Sequence, residues 1–264
     1  MEQGVVPAGD IDIHYRKVGD HGGPAWVLVH GIGEDGSSWA EVQDLLRPHV
    51  TSYAIDVRGH GRSPLGAADG SLAQLAGDVL GFVEAVGPSV LVGFSMGGAV
   101  VLSAATSGDP LVRRAVGLGT SSVVGRRAAE SFLADATAIE AKGAAAAREA
   151  AGRLLTAAVH HPPRDWAARR AARLDALGDG AGYANGARAM ASMAPAPITP
   201  ALGDITVPVD LLVGEEDDVC PRKAAEIIVE ALPDARIRDL PGVGHFAAVE
   251  DPRGLADALL ATRR

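Results

Sequence analysis

The stretch "VLVGFSMGGAV", Val90 to Val100, decides the fold. An apolar run ends in Gly93-Phe94-Ser95-Met96-Gly97, and a second run of apolar and small residues follows directly. A strand, a tight turn and then a helix form the context in which a G-x-S-x-G motif lifts its serine clear of a sheet edge. Glycines two before and two after Ser95 keep that turn free of clashes, and Gly98 lets the helix pack close to a neighbouring strand. Without those flanks the pattern would be an incidental serine in a glycine-rich turn.

Counting that run, the strand candidates are 25–30, 52–56, 89–94, 114–119, 209–214 and 235–240. Several are unbroken, as expected for strands covered on both faces. Helical patterns fall between them near 39–46, 72–86, 97–107, 222–232 and 253–262, the first with a capping box of Ser38 and Glu41. This alternation predicts an α/β fold, a mostly parallel sheet flanked by helices. Residues 10–18, "DIDIHYRKV", alternate in polarity and predict an antiparallel edge strand.

From 123 to 198 the texture changes. Alanine and arginine dominate, and Pro162-Pro163, Gly178-Asp179-Gly180 and Pro195/Pro197 punctuate three or four helices. The expected organisation is a core of residues 1–122 and 199–264 with an inserted helical lid, or cap, at 123–198. Ten Lys and Arg face seven acids in the insertion, so it carries about +3 and the rest of the chain about −12. Solvated helix faces account for this; a mildly basic lid that prefers an anionic substrate is the sharper alternative.

The chain has 264 residues, 47% hydrophobic and 22% charged, which suits one large domain or a domain with an insertion. A formal charge of −9 argues against a nucleic-acid partner, whose phosphates it would repel. Cys220 is the only cysteine, so no intrachain disulfide forms, in keeping with the expected cytoplasmic location. "MEQGVVPAGD" has neither the basic nor the apolar region of a signal peptide. Ala85–Gly108 is free of charge but broken by Gly87-Pro88, Gly93 and Gly97-Gly98. That leaves no run of the roughly 20 apolar residues a membrane span needs, and no membrane partner is expected.

"WVLVHGIGEDGSSW", Trp26 to Trp39, poses a separate question. Gly31, Gly33 and Gly36 spell the G-x-G-x-x-G of dinucleotide-binding loops, and Asp56 follows about 20 residues on. Three features oppose that reading. Glu34 and Asp35 would repel a pyrophosphate, the following helix starts too late to present its N-terminus, and His30 interrupts the apolar strand.

A serine hydroxyl needs a base, and the base an orienting acid. Downstream of Ser95 the histidines are His160, His161 and His245. Candidate acids stand together in "LLVGEEDDVCP": Glu215, Glu216, Asp217 and Asp218.

"VLVHGIG", "YAIDVRGHGRS", "VGFSMGG", "LLVGEEDDVCP" and "GVGHF" follow one another in the order and approximate spacing of α/β-hydrolase fold enzymes, and the chain resembles the serine-nucleophile branch of that superfamily. The resemblance covers nearly everything except the insertion, and it implies a catalytic triad of Ser95, Asp217 and His245, with Asp218 as the fallback acid. It implies an oxyanion hole made by the backbone N–H groups of Ile32 and Met96, so the glycines of the first loop would admit a carbonyl rather than a pyrophosphate. His30, Arg58 and His60 would be scaffolding.

The implied chemistry is acyl transfer through an acyl-enzyme, with no metal or organic cofactor and a small-molecule ester or lactone as substrate. Carboxylesterases, 3-oxoadipate enol-lactonases and cofactor-free perhydrolases share these features. Carbon–carbon bond hydrolases usually carry Trp where Phe246 stands, and Ser95 opposes the aspartate-nucleophile branches. A ligand receptor on a hydrolase scaffold is the alternative from another class, and slow single-turnover hydrolysis would distinguish it. Phe132, Leu133, Leu154, Leu155, Trp166, Met190 and Met193 are candidates for the roof of the pocket, although apolar residues at helical spacing equally make core.

Overall fold

Eight strands build one sheet: β1 (Glu2–Ala8), β2 (Ile11–Val18), β3 (Ala25–Val29), β4 (Ser52–Ile55), β5 (Ser89–Phe94), β6 (Val112–Leu118), β7 (Val209–Gly214) and β8 (Arg236–Leu240). They are seen in a computed structural model that describes residues 1–232 and 234–263. The order across the sheet is β1-β2-β4-β3-β5-β6-β7-β8. β1 and β2 pair antiparallel, as do β2 and β4, and every other pairing is parallel.

Strand alternation splits the core in two. Val27, Val29, Leu91, Leu211 and Val213 point to one face, and Trp26, Leu28, Val90, Val92 and Leu212 to the other. Every residue of β3, β5 and β7 is buried, because helices cover both faces. α1 (Ala40–Leu46) packs on the second face, and α2 (Leu72–Val86) and α3 (Met96–Ala105) on the first. Between β6 and β7 come α4 (Arg126–Lys142), α5 (Ala144–Ala158), α6 (Trp166–Ala176) and α7 (Ala181–Ser192). The chain ends with α8 (Arg222–Ala231) on the first face, and α9 (Ala247–Glu250) and α10 (Pro252–Ala261) on the second. Each fully buried Val, Leu or Phe contributes roughly 1.5–3 kcal/mol. Among the described residues no helix is long and apolar enough to cross a membrane.

Two local expectations are corrected. The 10–18 segment does form an antiparallel strand, but β1 lies outside it and is the true edge. Gly4 and Pro7 hide β1 in the sequence; an edge strand tolerates a proline because its missing N–H can face solvent. The capping box of Ser38 and Glu41 does not form. Asp35 caps a 3₁₀ turn three residues earlier, accepting the Ser37 N–H at 2.8 Å, while the Ser38 hydroxyl donates to the Asp35 carbonyl. Glu41 instead reaches Arg169 of α6 at 3.0 Å.

The strand order also places the site. From β3 the chain steps outward to β4, then returns across β3 to β5, so the loops leaving β3 and β5 diverge. Such a switch point opens a crevice at the C-terminal ends of the strands. "HGIG" leaves β3 there and Ser95 leaves β5 beside it.

Candidate active site

Ser95 occupies a turn that only its neighbours make possible. Its φ of 52° and ψ of −114° make it the one non-glycine residue with positive φ among those described. Such backbone costs about 1–3 kcal/mol and persists only where the surroundings impose it. Here they do: the Ser95 N–H donates to the Leu118 carbonyl at 2.9 Å, and the Ser95 carbonyl accepts from Gly98, Ala99 and the Thr120 hydroxyl. A side chain at 93 would press on the Gly97 carbonyl, and one at 97 would come within 2.6 Å of the His30 carbonyl.

Three loops from different strand ends converge on that serine. The Ser95 hydroxyl lies 3.1 Å from His245 Nε2, and His245 Nδ1 lies 2.8 Å from Asp217 Oδ2. With Nδ1–H donating to the carboxylate, Nε2 is left as an acceptor for the hydroxyl proton. Asp217 is itself fixed, because its other oxygen accepts the N–H groups of Val219 at 2.9 Å and Cys220 at 2.8 Å. Both His245 and Asp217 are buried, whereas Ser95 is partly exposed. The rings of Phe94 and Phe246 lie against the imidazole, with centroids 4.9 and 5.4 Å away. This is the geometry in which an imidazole can take a hydroxyl proton while a carboxylate holds its orientation.

The other candidates fall away from this line. Asp218 is exposed, its carboxylate 3.9 Å from His160 Nε2. His161 Nε2 lies 2.8 Å from Glu216, which it helps to hold below its ordinary carboxylate range. Burial and the Asp217 charge push the Cys220 thiol up to about 12, so the sole cysteine stays protonated.

The first glycine loop is organised around its own backbone. The Gly31 N–H donates to Glu34 at 3.2 Å, the Gly33 N–H to His60 Nε2 at 3.4 Å, and the Glu34 N–H to the Gly31 carbonyl at 3.3 Å. Among the described residues no acceptor takes the Ile32 N–H, and the same holds for Met96 at the first position of α3. Glu34, read from the sequence only as a repulsive charge, is buried and turned into the loop it belongs to. Asp56 accepts the Gly36 N–H at 2.7 Å and that of Arg62 at 2.9 Å, so it pins the loop.

The scaffolding residues hold the surrounding turns together. His30 Nδ1 lies 2.8 Å from the Gly31 carbonyl, while Nε2 accepts the Val57 N–H at 3.0 Å. Arg58 is buried and grips Asp78 through two bonds, with Asp10 and the Leu65 carbonyl as further partners. Burial, with the neighbouring His30, lowers the His60 imidazole to about 3, so it stays neutral.

One anchor escaped the sequence reading. Glu250, at the end of α9, accepts the N–H groups of Gly244, His160 and His161 at 3.1, 3.3 and 3.2 Å. It thereby ties the residue before His245 to the α5–α6 connection. No periodicity announces this contact, which joins residues 90 positions apart.

Of the candidate roof residues, Leu133 is exposed. Leu155, Met190 and Met193 are buried, and Phe132, Leu154 and Trp166 are packed on the same cores.

The pattern of the Alpha/beta hydrolase family matches residues 26–258. An uncharacterised protein of Mycobacterium tuberculosis is 28% identical over 252 residues, covering 89% of this chain and 74% of its own. The 2-(acetamidomethylene)succinate hydrolase of Mesorhizobium japonicum is 26% identical over 261 residues, 94% of this chain and 90% of its own. The enol-lactonase structure from Burkholderia xenovorans superposes with a TM-score of 0.84 at 23% identity, covering 98% of both chains. With that match running through all three converging loops, the chain belongs to the alpha/beta hydrolase family.

Proposed function

We propose that this hydrolase cleaves a small-molecule ester or lactone through an acyl-enzyme on Ser95. His245 removes the hydroxyl proton as Ser95 attacks the carbonyl. The N–H groups of Ile32 and Met96 receive the oxyanion, and the N-terminus of α3 adds favourable dipole at that point. His245 then protonates the leaving alcohol and activates the water that releases the acyl group, while Asp217 holds the imidazole tautomer and stabilises the imidazolium.

The observation that carries this reading is the unbroken line from Ser95 through His245 to Asp217, set beside two N–H groups without an acceptor among the described residues. The insertion acts as a lid over it. Its Arg148, Arg153, Arg169, Arg173 and Arg188 each hold a carboxylate, so much of its positive charge is already committed. That favours a neutral substrate over an anionic one.

A panel of chromogenic esters and lactones of graded length and charge tests the proposal, with Ser95→Ala assayed beside the parent chain. Multiple turnover of short neutral esters, lost in the variant, is expected. Preference for carboxylate-bearing lactones would move the assignment toward the enol-lactonase type, and a single slow turnover would favour a receptor.

A further inference from the structure

The loop that presents Ile32 is held by a carboxylate whose charge is met from the insertion. Glu34 Oε2 accepts the Gly31 N–H at 3.2 Å, and Oε1 lies 3.3 Å from Arg173 Nε on α6. The side chain of Glu34 is 5% exposed, so its charge sits away from solvent and Arg173 is its ion-pair partner.

The helix that supplies this partner is held unlike its neighbours. α6 buries none of its residues, whereas α7 buries most of its length. Arg169, Arg173 and Leu177 follow at four-residue spacing and so share one helical face. Along that face Arg169 meets Glu41 at 3.0 Å, Arg173 meets Glu34, and Leu177 lies against Gly33. Between the same face and the segment from Glu34 to Glu41 runs a cleft of about 390 Å³, lined by Asp35, Ser37 and Ser38 on one side and by Ala172 and Ala176 on the other. On this face the contact is two ion pairs and one leucine around an open space, while Trp166 and Leu174 of the same helix pack, only partly buried, against the cores.

We propose that Glu34 is a positioning residue that couples the docking of α6 to the placement of the Ile32 N–H, with Arg173 as the partner that completes it. The inference rests on the acyl-transfer reading. When α6 is seated, the Glu34 carboxylate is neutralised and can hold the Gly31 N–H, which fixes the residue before Ile32. When α6 lifts, Glu34 is left as a buried charge without its cation and turns toward water, releasing that N–H. The oxyanion loop is therefore in its working shape only with the insertion closed. Substrate that draws α6 down assembles the site it will use.

This coupling differs from a lid that merely encloses substrate. An enclosing lid changes binding, and its loss raises KM with kcat retained; loss of an interaction made in the transition state lowers kcat. Misplacing a group by about 1 Å can cost about 10²-fold. Arg173→Met, assayed with 4-nitrophenyl butyrate, is therefore expected to lower kcat and the acylation burst rate by about tenfold to a hundredfold, with KM changed less than about threefold. Arg173→Lys, which keeps the charge, is expected to recover most of kcat. In Glu34→Gln the amide oxygen can still accept the Gly31 N–H without a charge to neutralise, so Arg173→Met in that background is expected to change kcat less than about twofold.

A rise in KM alone for Arg173→Met, or equal effects of that change in both backgrounds, would overturn the coupling. So would a kcat for Arg173→Lys as low as for Arg173→Met. Ser95→Ala is assayed in parallel: if it is inactive while Arg173→Met is normal, only the coupling fails, whereas an active Ser95→Ala removes the reading beneath it.

Discussion

The sheet edge and the helical insertion are built by opposite means. In β3, β5 and β7 every residue is buried, and each loop leaving them is fixed by several backbone hydrogen bonds. In the insertion, α4, α5 and α7 share the core of one sheet face, but α6 buries none of its residues fully and joins Glu34 and Glu41 through arginine–carboxylate pairs, with Trp166 and Leu174 only partly buried on the cores. Close packing has few alternative arrangements, whereas an exposed ion pair such as Arg169–Glu41 can be exchanged for water at little cost; the shielded Glu34–Arg173 pair is the exception. One region suits atoms that must be held to tenths of an ångström; the other is the part whose movement we propose. Substitutions on the two sides should accordingly differ in size and kind.

The largest effects belong to the converging loops. Ser95→Ala is expected to reduce kcat on the order of 10⁶-fold and Asp217→Asn about 10⁴-fold, by analogy with other triads. Asp218→Asn, one residue away but exposed, should leave kcat within about twofold of the parent; steady-state kinetics on purified variants decide all three. A large loss at 218 and none at 217 would break the assignment of the acid.

Next comes the anchor between the two regions. Glu250→Gln weakens three N–H contacts to one carboxylate, and bonds to charged groups contribute about 1.5–3 kcal/mol each when well formed. At the observed 3.1–3.3 Å, a loss of about 2 kcal/mol in denaturant unfolding is expected, together with reduced kcat because the backbone before His245 is freed.

A third test uses acid. His60 titrates near its ordinary 6.5 when unfolded but only at about 3 in the fold, because it is buried beside His30. Between those values the unfolded chain binds a proton that the native one refuses, so stability falls as pH drops from 6.5 toward 3. His60→Gln should flatten that part of the stability–pH curve; an unchanged slope would show that another group carries it.

The smallest effects should lie on the insertion surface. Arg148→Ala and Arg188→Ala each remove an exposed ion pair, and each is expected to cost less than about 1 kcal/mol in unfolding. Losses comparable to that of Glu250→Gln would mean that the two regions are less different than described.

The centre of the sheet could be read from the chain because β3, β5 and β7 are local, largely apolar runs with glycine at or near their ends. The edge strand β1 could not: its polar, glycine- and proline-containing residues are held by pairing with β2, which is a property of the partner. α1 lies where its pattern predicts, but its capping box does not form for a similar reason: Asp35 caps a preceding 3₁₀ turn and tertiary contact gives Glu41 to Arg169. Ser95 declares itself through the glycines its backbone requires. Asp217 and His245 are visible as residues, but their meeting depends on β7 and β8 ending side by side. Glu34 and Glu250 gave no signal for the roles they occupy, because what defines them is which distant N–H groups their carboxylates collect.

Whether the hydroxyl at the strained turn becomes covalently loaded can be seen directly. The protein is mixed with a 4-nitrophenyl ester, quenched in acid during the initial burst, and mapped by peptide mass spectrometry. One acyl group on the peptide that contains Ser95, absent when His245 is replaced by Ala, is the expected result. Steady ester hydrolysis with no acyl mass on that peptide, or with the group on another residue, would contradict the account.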